Sequence, residues 1–125
     1  MTLEDKILDT IRKLIGGSTD YTYFDEDIVI HANTYLANLV QVGIGTPGFI
    51  LTSTSTWRDF LGSNYPPERL VQIRSWLWIK VKLIFDPPMS THYADKLQEE
   101  AKELLWRMYV EVDPPAFNEI ITENP

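Results

Sequence analysis

Residues 67–85, PERLVQIRSWLWIKVKLIF, decide the fold of this chain. At 100° per residue, Leu70, Ile73, Leu77, Val81 and Ile84 form one apolar stripe of a helix. Trp76, Ile79 and Leu83 cover a second face, and Val71 and Trp78 a third. Within the body of the segment only Gln72, Arg74, Ser75, Lys80 and Lys82 interrupt. A helix that is apolar all round is buried on more than one side. A chain of 125 residues can bury only a minority of its helices that deeply. The segment is therefore the central helix of the domain, or part of it packs against another subunit.

Working outward, Pro66-Pro67 opens this helix where a missing N–H costs little, and Asp86-Pro87-Pro88 stops it. Upstream, a first helix is expected from Leu3 to about Ile15, with Thr2 as cap and Asp5 at the capping-box distance. Leu3, Ile7, Leu8, Ile11, Leu14 and Ile15 form its apolar face, and Gly16-Gly17 ends it. A polar, aromatic loop follows over residues 18–24. A second helix is expected from about Asp25 to Val42, with Ile28, Ala32, Tyr35, Leu36, Leu39 and Val40 inward and Gly43 as its stop. Asp25, Glu26 and Asp27 stand where the helix dipole favours negative charge.

The middle differs. Phe49-Ile50-Leu51 has strand character and residues 52–56 are a Ser/Thr run, so residues 44–56 read as an irregular or short β-like insertion. Thr56-Trp57-Arg58-Asp59 has the form of a capping box opening a short helix through Leu61. Ser90 or Thr91 caps a last helix, from about His92 to Val110, with Tyr93, Leu97, Ala101, Leu104, Leu105 and Met108 inward. Asp113-Pro114-Pro115 ends it. The expected fold is mostly α: a small bundle of four main helices plus a short one, in a domain over residues 1–112, followed by an extended C-terminal tail, 113–125. That tail carries Phe117, Ile120 and Ile121 among acids and no basic residue, too little to form a core alone.

Composition narrows the function. Charged residues are 23% and hydrophobic residues 44%, as in an ordinary globular protein. No apolar run reaches the roughly 18 residues of a membrane span, since Lys80 and Lys82 break the best one. The opening MTLEDKILDTIRKLI, acidic and amphipathic, does not resemble a signal peptide, so synthesis in the cytoplasm is expected. Cysteine is absent, which removes disulfides and thiolate metal sites. The net charge of −7 disfavours ordinary nucleic-acid binding. It also suits a surface past which DNA must slide without sticking.

No motif carries catalysis. Residues 43–48, GIGTPG, match G-x-G-x-x-G, but a dinucleotide site needs a strand before the glycines and a helix after them. Here a helix precedes and a strand-like piece follows, so the glycines read as a helix stop and turn. Asp25, Glu26 and Asp27 lack the alternate spacing and distant Glu of a Ca²⁺ loop. His31 and His92, the two histidines, sit in no metal-ligand pattern, and no glycine-flanked serine is present. Glu99 and Glu103 read as a solvated face, pairing with Lys102 or Lys96 and with Arg107. No catalytic residue, cofactor or metal is expected. The tryptophans Trp57, Trp76, Trp78 and Trp106 are more informative, because such aromatics anchor both cores and interfaces. Trp76 and Trp78 lie about 160° apart on a helix, so at least one is expected at the domain surface or a subunit contact.

Five segments in order then give the chain a likeness: ILDTIRKLIG at 7–16, FDEDIVIHANTYLANLVQVGIG at 24–45, TWRDFLG at 56–62, LWIKVKLIFDPP at 77–88 and ADKLQEEAKELLWRMYV at 94–110. Together the chain resembles, over about Leu3 to Val112, the head–tail connector (head-completion, or adaptor) proteins of tailed bacteriophages, in the form found in phages and prophages of Firmicutes. The resemblance implies a virion structural protein and no enzymatic activity. It implies a ring, commonly of twelve copies, beneath the portal. Such a ring extends the DNA channel without binding DNA specifically and joins the head to the next neck or tail component. No membrane is involved. On that reading Phe117, Ile120 and Ile121 are expected to dock on the portal protein. Trp57, Phe60, Trp76 and Trp78 are expected at the subunit interface, and Phe49, Ile50 and Leu51 facing a neighbour or the lumen. A small acidic regulatory or inhibitory binding protein is the alternative, and it explains the charge alone.

Overall fold

The computed structural model describes residues 1–16 and 25–112. Among these, five α-helices occur: α1 (Ile7–Ile15), α2 (Asp25–Gln41), α3 (Trp57–Leu61), α4 (Pro67–Phe85) and α5 (Thr91–Val112). The expected helical bundle is therefore present, with the short helix α3 where the capping box placed it. The α4 helix is central. It makes the most extensive helix–helix contact with α5 and a further one with α1, which also packs on α2. Two of its three apolar faces are buried through Leu70, Ile73, Trp76, Leu77, Ile79 and Val81. The third face, with Val71 and Trp78, is exposed, as is Ile84 near the end.

The helix ends follow local chemistry. Gly16 closes α1 in the left-handed region, φ 98°, and its N–H donates to the Lys13 carbonyl. Pro67 starts α4, and Lys82 pairs with Asp86 at its end, 3.4 Å. The α5 cap is Ser90, whose Oγ accepts from the Tyr93 N–H at 3.3 Å. On the inner face of α5, Leu97, Ala101 and Met108 are buried, whereas Tyr93 lies in the first turn and is exposed.

The first helix starts four residues later than expected. The Thr2 N–H donates to the Asp5 carboxylate at 2.8 Å and the Asp5 N–H to the Thr2 carbonyl at 3.2 Å, so the two residues close a single turn. Lys6 is then extended, φ −71° and ψ 138°, and forms an antiparallel bridge with Thr56. The reason is a competing use for the backbone. The Asp5 carbonyl accepts from the Trp57 N–H (3.1 Å) and the Leu3 carbonyl from the Arg58 N–H (2.9 Å), while the Ile7 N–H donates to the Ser55 carbonyl (2.9 Å). A helix leaves its first N–H groups without internal partners. The N-terminal segment supplies partners for two of those of α3. The third, of Asp59, donates to Thr56 Oγ1 at 3.2 Å within a complete capping box.

That bridge is the only β feature among the described residues of the 44–56 insertion; the rest is irregular backbone with two turns. The insertion is nonetheless anchored. Ile44 is buried in the core, and its N–H donates to the Leu39 carbonyl at 2.9 Å. Thr46 donates both its N–H and its hydroxyl to the Phe60 carbonyl, each at 3.0 Å. The Phe49 ring meets the Phe60 ring edge-on at 5.2 Å. The glycines at 43–48 thus act as helix stop and turn. Gly45 is required twice over: its φ is +88°, and a Cβ there would overlap the Phe60 ring.

Gly45→Ala should destabilise the fold by on the order of 3 kcal/mol, from left-handed backbone strain plus overpacking. Gly48→Ala, at φ +74° with open space around it, should cost only about 1 kcal/mol. Urea denaturation of the two variants checks the contrast; equal losses would refute the Phe60 contact.

Candidate functional site

The residues singled out in the sequence separate into buried and exposed sets. Trp57, Phe60 and Trp76 are wholly enclosed by their own chain. Trp57 donates its indole N–H to Thr10 Oγ1 at 2.9 Å, across the strap between the N-terminus and α3. The Thr10 hydroxyl in turn donates to the Lys6 carbonyl at 3.1 Å. Trp76 takes the edge of Tyr35 at 6.0 Å. Trp78 is 39% exposed, with Lys82 Nζ over its ring at 5.8 Å. Phe49 and Leu51 are half-buried, and Ile50 is exposed. Phe117, Ile120 and Ile121 lie outside the described residues.

The histidines take ordinary positions. His31 is half-buried between Tyr35, stacked at 6.3 Å, and Phe85, edge-on at 5.3 Å. His92 is exposed in the first turn of α5. Among the described residues no three His, Asp or Glu side chains converge as metal ligands, and no helix is long and apolar enough to cross a membrane. Glu103 pairs with Arg107 at 2.6 Å, as its spacing suggests.

Two surfaces remain open, on opposite flanks of the α4–α5 contact. On one flank the outer stripe of α4 carries Val71, 64% exposed, and Trp78 two turns later. A shallow depression of 360 Å³ lies beside it, with Arg74, Ser75 and Trp78 from α4 and Glu100 and Leu104 from α5. On the other flank a groove of 480 Å³ runs between α4 and α5 and reaches Asn38 of α2. Trp76, Leu83, Ala101 and Leu105 give it an apolar floor, and Lys80 and Lys102 line it. Farther along α5, Trp106 and Tyr109 are exposed. Sequence reasoning missed this groove. Its signal lies in α5, where Ala94 and Ala101 are too small to fill the space opposite Leu83.

The ends of α4 and α5 are tied where they meet. Arg69 donates to the Glu111 carbonyl at 3.3 Å and Gln72 Nε2 to the Glu111 carboxylate at 3.0 Å. Burial is the main influence on nearby Tyr65 and raises its pKa; Arg69 opposes the shift and Glu111 adds to it. In the core, burial pushes Tyr35 up to about 12. Its hydroxyl donates to the Lys80 carbonyl at 3.4 Å.

The geometry describes a scaffold with exposed apolar faces on its two longest helices. The comparisons agree. Residues 7–115 match the family model described as phage connector protein. No curated protein and no solved structure matches the chain. The chain belongs to the phage connector protein family, and its role is that of a bacteriophage head–tail connector, a structural component of the virion.

Tyr35 gives a pH test of the core. Its phenol ionises near 10 in the unfolded chain and near 12 in the folded one. The folded state therefore holds its proton longer. The stability this provides is complete below pH 10 and is lost as pH rises from 10 to 12. Tyr35→Phe should flatten that part of the stability–pH curve relative to the native chain; identical slopes in chemical denaturation would show that Tyr35 ionises freely when folded.

Proposed function

We propose that identical copies of this connector form a ring beneath the portal of a Firmicutes-type phage head. The ring continues the DNA channel and receives the next neck or tail component. The observation that carries this reading is the uncovered stripe of α4. Val71 and Trp78 leave apolar surface open on the central helix of the domain. A Trp flanked by Ser75, Arg74 and Lys82 has the composition of an interface anchor: an aromatic centre with a polar rim. Of the four residues expected at the interface from sequence, Trp78 is the one with exposed ring surface, so it is the proposed subunit contact. Trp57, Phe60 and Trp76 are buried within their own chain and hold together the domain that presents it. The exposed Ile50 turn is proposed to face a neighbour or the lumen.

The net charge of −7 supports a lumen that repels phosphate. The 113–125 arm is proposed to dock on the portal through Phe117, Ile120 and Ile121, with the domain over residues 1–112 forming the ring. An arm of this composition buries too little apolar area by itself and needs a surface to dock on. A regulatory role would use the charge and leave the α4 stripe without a purpose.

The test is to mix the protein with tail-less, DNA-filled heads of the same phage and image the vertex. A new ring of density below the portal is expected. Unchanged portals at concentrations well above micromolar would overturn direct docking. Trp78→Glu should abolish the ring, because a carboxylate would be desolvated at its centre. Since Trp78 lies outside the core, thermal unfolding should shift little. A ring formed as before would remove α4 from the interface.

A further inference from the structure

The groove between α4 and α5 has a chemistry that the rest of the molecule lacks. The chain is acidic overall, with a net charge of −7, yet the lining of this groove includes Lys80 and Lys102 and no carboxylate. Neither lysine has an acidic partner among the described residues. Lys80 instead lies over the Trp76 ring at 5.9 Å. The floor is apolar. An occupant suited to it is an extended segment with several apolar side chains and negative charge.

One segment of this chain has that composition. Residues 113–125, DPPAFNEIITENP, hold Phe117, Ile120 and Ile121 together with Asp113, Glu119 and Glu123, and no basic residue. The segment also starts in the right place. It follows Val112 at the end of α5, the helix that forms one wall of the groove. Along α5, Leu105 is about 10 Å and Ala94 about 27 Å from Val112 at 1.5 Å per residue. An extended chain adds about 3.3 Å per residue, so after a reversal at Pro114-Pro115 Phe117 reaches back about 7 Å and Ile121 about 20 Å. That reach carries Phe117 to the level of Leu105 and Ile121 to that of Gln98, with the last residues of the segment near Ala94.

We propose that, in the free protein, residues 116–125 lie in the α4–α5 groove of their own chain, running antiparallel to α5. Phe117, Ile120 and Ile121 cover the apolar floor, and Glu119 and Glu123 meet Lys102 and Lys80. A tether this short gives the arm an effective concentration in the mM range, so its own groove outcompetes that of a second copy in dilute solution. The arrangement keeps three apolar side chains from water until a competing surface takes the arm. It does not depend on the identity of that surface, nor on ring formation.

The chain has no cysteine, so Asn124→Cys places a single nitroxide near the end of the arm in the full-length protein. In isotope-labelled protein, the oxidised label should erase the amide signals of Ala94, Gln98 and Lys102, and dilution should not restore them. Gln98→Trp fills the groove from an exposed position, and it should restore the signals of Ala94 and Lys102. Replacing Phe117, Ile120 and Ile121 together with Ser should do the same without disturbing the core. Intact groove signals in the labelled native arm would overturn the proposal. Signals lost only on mixing isotope-labelled chains with separate spin-labelled ones would also overturn it, by assigning the groove to the arm of a second copy.

Discussion

The strap between residues 3–7 and 55–58 is the interaction on which this fold rests. It replaces a first turn of helix with partners for another helix. The Leu3 and Asp5 carbonyls fill positions that side chains usually occupy at a helix start. A five-residue helix has little stability by itself. With three of its opening N–H groups satisfied, α3 can hold Trp57 and Phe60 in the core. Trp57 then joins the strap to α1 through Thr10, and Phe60 supports the 44–49 turn through its ring and its carbonyl. Removing any one of these contacts exposes a polar backbone group or opens a large void, so they act together.

The second organising feature is the division of aromatic side chains between the two sides of α4. Trp76 faces inward against Tyr35, and Trp78 faces outward under Lys82. Their sequence spacing makes this division unavoidable once the helix forms. The inward side secures α2, whose Tyr35 bridges to both Trp76 and the α4 backbone. The outward side is left exposed. Stability thus draws on the inner faces of the helix and the proposed association on its outer one, so the outer face can change without unfolding the domain.

Much of this was legible in the sequence. The ends of α4 followed from Pro67 and from Asp86-Pro87-Pro88, and the short α3 from the Thr56–Asp59 box, because these signals act within one turn. The inward positions of α2 followed from periodicity. What was not legible depends on partners distant in sequence. Nothing local shows that Lys6 will pair with Thr56 in place of continuing a helix, or that Ile44, between two glycines, enters the core. The same holds for the exposed apolar surfaces. Pattern alone marked Trp57, Phe60, Trp76 and Trp78 as one group, since a tryptophan that fills a core and one that waits for a neighbour have the same spacing. Only packing separates Trp78 from the others. The groove was invisible for a related reason: it is a space left by small residues, and sequence records residues more readily than gaps.

The strap has a consequence for the order in which the chain folds. The α4–α5 hairpin joins helices that are adjacent in sequence, and short loops close quickly. The Lys6–Thr56 bridge joins residues fifty positions apart, so its closure entropy must be met before its hydrogen bonds contribute. The hairpin can therefore form early, and the N-terminal segment arrives last to seal α3. During synthesis the chain emerges in the opposite order, with residues 3–7 made first and their partners at 55–58 and the central helix much later. The N-terminal residues thus wait, unpaired, until the helix that completes their surroundings has left the ribosome.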